Sequence, residues 1–80
     1  MRRLFEALSD DAQTVLLWFA GEQDALHDEL GDGNPVIFRM EEAMRYHVLP
    51  TWARVQVAFA ELESAGWIRR CPDPTYYTLS

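Results

Sequence analysis

Thr51-Trp52-Ala53-Arg54-Val55-Gln56-Val57-Ala58-Phe59-Ala60-Glu61-Leu62-Glu63-Ser64-Ala65-Gly66-Trp67-Ile68-Arg69-Arg70 contains a helix with both of its end signals and, directly after it, a strand. Thr51 offers a hydroxyl oxygen to the free amides of a first turn. Gly66 suits the left-handed position that closes a helix. Between them, at 100° per residue with Val55 as origin, Trp52, Phe59 and Leu62 fall within about 60° of that origin, so this face is expected in the core. The opposite face is Ala53, Val57, Ala60 and Ser64, a stripe of small, mostly apolar side chains flanked by Arg54, Gln56, Glu61 and Glu63.

Working outward, Trp67-Ile68-Arg69-Arg70 and Thr75-Tyr76-Tyr77-Thr78-Leu79 flank Cys71-Pro72-Asp73-Pro74, which reads as a β-hairpin with a proline-stiffened turn. Upstream, Met40, Ala43, Met44 and the pair His47/Val48 predict a helix with Glu41 and Glu42 in its first turn, stopped by Pro50. Val36-Ile37-Phe38 is a short β-type run before it. Gly31-Asp32-Gly33-Asn34-Pro35 is expected to be the main internal loop. Ser9 predicts an N-cap, after which Ala12, Val15, Leu16 and Phe19, with Trp18 beside them, draw a buried stripe. Leu4, Phe5 and Leu8 are expected to pack an N-terminal turn against that stripe. Gly21 is expected to weaken or end this helix, leaving 22–30 as a short acidic helix or its continuation.

The chain has 80 residues, enough for one small core, so residues 1–80 are read as one domain. With 49% hydrophobic and 25% charged residues it lies in the globular range, without the long apolar run of a membrane span. The formal charge of −6 sits wholly in residues 1–35, where Arg2 and Arg3 face eight acids. The second half is balanced. Such a chain suits a basic protein partner and is repelled by phosphate backbones unless its arginines gather on one face. The single cysteine, Cys71, allows no internal disulfide, and Glu6, Ser9, Asp10 and Asp11 interrupt any signal-like apolar stretch, so the expected location is the cytoplasm of a bacterial or phage-infected cell.

The order helix, short strand, helix, turn, helix, glycine, hairpin resembles the winged helix-turn-helix domain, as in the multiple-antibiotic-resistance repressor family, with the best match over residues 39–70. Leu62-Glu63-Ser64-Ala65-Gly66-Trp67-Ile68-Arg69 has the shape of that family's recognition-helix ending, and Thr51 stands at its usual cap. The fold this implies is α+β, mostly α: three or four helices plus a C-terminal two-stranded β-hairpin wing. The resemblance places Thr51, Trp52, Ala53, Gln56 and Val57 at groove-reading positions, with Arg54 within reach of phosphate, Arg39 and Arg45 likewise, and Arg69 and Arg70 in the wing. Gln56 alone among the groove-reading residues suits base recognition, which leans on Arg, Lys and Asn.

Two functions are compatible with these features. The leading expectation is a non-enzymatic binding protein that blocks a basic, nucleic-acid-handling partner, by analogy of size, charge and fold with phage anti-defence proteins such as anti-CRISPRs that mimic the charge of DNA. Its contact residues would be the acids Asp10, Asp11, Glu22, Asp24, Asp28, Glu29 and Asp32 and the stripe Ala53, Val57 and Ala60. The rival is a small transcription regulator contacting DNA through Thr51, Trp52, Arg54, Gln56, Arg69 and Arg70. The plainer reading of the stripe is that the segment around Leu4, Phe5 and Leu8, or a second copy in a homodimer, covers it. No catalytic residues, cofactor or metal are expected: His27, His47 and Cys71 lack ligand spacing, the clustered acids lack a calcium-loop pattern, and no phosphate loop, dinucleotide fingerprint or nucleophile-base pair is present.

Overall fold

The computed structural model describes residues 5–22 and 37–79, together with the helical course of 23–30. A 3₁₀ turn at Phe5–Ala7 leads into α1 (Asp10–Leu30), α2 (Met40–Arg45), α3 (Trp52–Ser64), β1 (Ile68–Arg70) and β2 (Tyr77–Leu79). The described residues form a small α+β fold, mostly helical, with three α-helices followed by an antiparallel hairpin. Ile68 pairs with Leu79, Arg69 with Thr78 and Arg70 with Tyr77. On the other edge of β2, Phe38 and Tyr77 exchange two backbone hydrogen bonds, both 2.7 Å. The β-type run before α2 thus contributes one residue pair to the sheet, and Val36 lies outside the described residues.

Ser9 caps α1 as its sequence suggests: its Oγ accepts from the Ala12 amide at 3.2 Å and its carbonyl from Gln13 at 2.9 Å. Thr51 does the same for α3, accepting from the Arg54 amide at 3.3 Å. Ala12, Val15, Leu16 and Phe19 of α1 meet Val55, Ala58, Phe59 and Leu62 of α3, and Ile68 and Tyr77 close the core from the hairpin. Phe19 is its centre, with ring centroids 4.1 Å from Phe38 and 5.4 Å from Phe59, which in turn lies 5.1 Å from Tyr77. Each such fully buried side chain is worth about 1.5–3 kcal/mol by transfer, so one aromatic cluster ties α1, the segment before α2, α3 and the hairpin together.

Several expectations need correction. Of the two alternatives at Gly21, α1 takes the second and runs on to Leu30; a glycine costs about 1 kcal/mol within a helix, less than the buried stripe of the preceding turns supplies. Residues 22–30 are therefore a continuation, and the side chains of Ala25, Leu26 and Leu30 lie outside the described residues, as does Leu4. α2 stops at Arg45, before His47 and well before Pro50. Its end is a Schellman motif: His47 takes a left-handed φ of 56°, its amide donates to Met44 and the Val48 amide donates to Ala43. α3 ends the same way, with Gly66 at φ 83° and amides of Gly66 and Trp67 donating to Glu63 and Leu62. Trp52, expected in the core, is 41% exposed, while Leu49 and Ala58, which the pattern did not single out, are buried. Trp52 sits at the margin of the buried arc, about 60° from its origin, in the first turn of α3, and lines a cleft with Met40 and Glu41 instead of entering the core. Phe5 and Leu8 do pack on the core.

Candidate functional site

α3 is tied along both of its flanks. On the side of α1, Arg54 forms a two-pronged bond to Asp11, Nε to Oδ2 at 2.8 Å and Nη2 to Oδ1 at 2.6 Å. Glu61, two turns on, receives the backbone amide of Ser9 at 2.8 Å and its hydroxyl at 2.6 Å. The hydrogen bond and charge of Arg54 hold the Asp11 carboxyl below the usual carboxylate range, and the Ser9 donors do the same for Glu61. On the hairpin side, Glu63 accepts from Arg70 Nε at 3.0 and 3.3 Å, while the Arg70 guanidinium lies 5.5 Å over the Tyr77 ring.

These ties determine what α3 can offer. The flanking charges Arg54, Glu61 and Glu63 are engaged, and the outward face between them, Ala53, Gln56, Val57, Ala60 and Ser64, is exposed. Val57 is 66% exposed. Of the N-terminal residues expected to cover this stripe, Phe5 and Leu8 pack on the core instead, with the Ser9–Glu61 contact fixing the start of α1 beside the helix flank, and Leu4 lies outside the described residues. An apolar face left exposed among the described residues is a feature of association surfaces.

The residues expected to contact DNA are not gathered into a basic surface. Thr51 serves as the cap, Arg54 and Arg70 are bound to carboxylates, and Trp52, Gln56 and Arg69 are exposed. Arg45, at the end of α2, is also exposed. Among the acids, Asp10 and Glu22 are exposed on α1 and Asp11 is half-buried against Arg54. Asp24, Asp28 and Glu29 lie on the same helix, with side chains outside the described residues, and Asp32 lies outside them altogether.

A feature the sequence did not reveal is a cleft of about 240 Å³ between the start of α2, the head of α3 and the hairpin, lined by Arg39, Glu41, Trp52, Arg70, Thr75 and Tyr77 among others. Arg39 sits 5.5 Å over the Tyr76 ring, 3.9 Å from Glu42, with a buried Nε that has no hydrogen-bond acceptor among the described residues. Trp52, exposed against expectation, forms part of its wall. Among the described residues no group of three or more His, Cys, Asp and Glu could hold a metal, and no helix is long and apolar enough to cross a membrane. The chain matches no protein-family model, no curated protein and no solved structure in the comparisons made.

Proposed function

We propose that the chain is a non-enzymatic winged-helix binding module that engages a basic, nucleic-acid-handling protein and blocks it, the mode of small phage-type anti-defence or anti-CRISPR inhibitors. The winged-helix reading is supported by the element order and by the Phe38–Tyr77 pairing, which adds a third, one-residue strand to the hairpin on the β2 edge. The observation that carries the binding mode is the state of α3. Its outward face is apolar and open, while Arg54 and Arg70, the cations a groove-reading helix and wing would direct at phosphate, are held by Asp11 and Glu63. Duplex binding would have to recruit arginines that already face carboxylates, against a net charge of −6.

In this mode Val57, with Ala53 and Ala60, forms the desolvated centre of the interface, and the acids of α1 steer and orient a basic partner. The test is capture of host proteins on the immobilised chain, followed by measured kinetics with the purified partner. Val57→Gln with Ala60→Gln should raise the off-rate by about tenfold or more. Asp10→Asn, Glu22→Gln, Asp24→Asn and Asp28→Asn together should slow association and flatten its salt dependence. A partner that is acidic, or whose kinetics neither variant changes, would overturn the proposal.

A further inference from the structure

The cleft between α2, Trp52 and the hairpin combines features that the protein-binding face does not use. Its two guanidiniums come from different elements, each laid over a tyrosine ring, Arg39 on Tyr76 and Arg70 on Tyr77. A guanidinium carries five N–H donors. Arg70 commits its Nε to Glu63 and the Nε of Arg39 is buried, so what the two part-exposed side chains offer the cleft is their terminal Nη donors. The four Nη groups carry more N–H donors than the two oxygens of a carboxylate can accept and suit the three terminal oxygens of a phosphate monoester. Glu42 and Glu63 stand beside the two arginines, so the long-range field is weak and a bare phosphate ion gains little. The attraction depends on close, directional bonds and on what else the ligand brings.

The rest of the lining specifies that remainder. Trp52 is 41% exposed at the head of α3, a flat surface on which a nucleobase can stack. Glu41, exposed at the start of α2, supplies an acceptor for an exocyclic amine, the way carboxylates recognise cytosine N4. The volume, about 240 Å³, falls below that of pockets for drug-sized ligands, so it takes one unit and not a strand. We infer that this cleft is a binding site for a single nucleoside monophosphate with an amino-bearing base: phosphate on Arg39 and Arg70, base on Trp52, amine on Glu41. The site lies on the hairpin side of α3, apart from the outward face, so it stands or falls independently of the protein-binding proposal.

The experiment is a two-dimensional NMR titration of the whole chain with CMP, UMP, cytidine and inorganic phosphate. The expected result is saturable shifts of the Trp52 indole N–H, the Arg39 and Arg70 Nε–H signals and the Thr75 amide with CMP, at a Kd of about 1 mM or tighter. UMP, which lacks the amine, should bind about fivefold more weakly, and cytidine and phosphate about tenfold or more. Arg39→Gln should weaken CMP about tenfold, read at Trp52, and Trp52→Leu about fivefold or more, read at Thr75. A free nucleotide and the end of a strand share this chemistry; comparing CMP with a 5′-phosphorylated dinucleotide separates them. The inference is overturned if CMP shifts no cleft signal, if phosphate alone reproduces its effect at equal affinity, or if CMP binds folded Arg39→Gln unchanged.

Discussion

The two helix ends that frame α3 adopt the same motif with different residues, and the comparison gives a paired test of the backbone account. At the end of α2 the left-handed position holds His47, φ 56°; at the end of α3 it holds Gly66, φ 83°. A residue with a Cβ in this region carries a penalty of about 1–2 kcal/mol that glycine avoids. Glycine in turn loses about 0.5–1 kcal/mol more chain entropy on folding. The difference is net stabilisation of about 0.5–1 kcal/mol for His47→Gly and a net loss of similar size or somewhat more for Gly66→Ala. His47 is exposed, so its removal takes no core packing with it. At about 4–8 °C per kcal/mol for a domain of this size, His47→Gly should raise Tm by roughly 2–8 °C and Gly66→Ala should lower it by at least as much. Differential scanning calorimetry of the three proteins at pH 7 reads both shifts. Shifts of the same sign would refute the assignment of one strained and one relaxed helix end.

Gly21→Ala removes backbone freedom inside α1 at a position where an added Cβ meets nothing within 4 Å; thermal melts should show stabilisation of about 0.5–1 kcal/mol. Phe59→Ala empties the site where α1, α3 and the hairpin meet and should cost about 3–5 kcal/mol in urea unfolding, a large fraction of the stability of so small a domain. Asp11, Glu61 and Asp73 all have carboxyl groups held below their ordinary values of 3.8, 4.5 and 3.8, Asp73 by the Thr75 amide and hydroxyl. Because the folded state prefers the ionised form, their contribution is complete above those ordinary values and disappears as pH falls through the lower folded ones. Stability measured from pH 7 to pH 2 should therefore be level down to about pH 5 and fall below it, and Glu61→Gln should lower Tm at pH 6 while changing it little at pH 2.

The elements most legible in the sequence were those whose signals are local and mutually consistent. Ser9 and Thr51 as caps, Gly66 as a left-handed stop, and the Val55, Phe59 and Leu62 stripe each depend on one helix and its nearest turn. What was not legible depended on competition between elements. The Gly21 penalty was outweighed by packing along α1, and the α2 pattern ran to Val48 because periodicity cannot show that His47 accepts a left-handed backbone. Trp52 lies at the margin of a buried arc, where the period of one helix does not decide between core and solvent. The exposed Ala53, Val57 and Ala60 stripe was visible as a pattern, but the Asp11–Arg54 and Glu63–Arg70 pairs beside it join residues 43 and 7 positions apart. No spacing rule foretells such pairs, and they change the chemical meaning of the arginines. The cleft was illegible for the same reason, being assembled from three separate elements.

Fluorescence anisotropy with a blunt, unphosphorylated 30-base-pair duplex of mixed sequence, at two low salt concentrations, separates protein binding from groove reading most cleanly. With Arg54 and Arg70 engaged and the surplus charge negative, the duplex should remain unbound at concentrations where non-specific winged-helix binding, about 10⁻⁴–10⁻⁶ M at physiological salt, would be evident. Binding that falls steeply with salt and is lost in Arg69→Ala with Arg70→Ala would contradict it, and would make the outward face of α3 a reader of DNA.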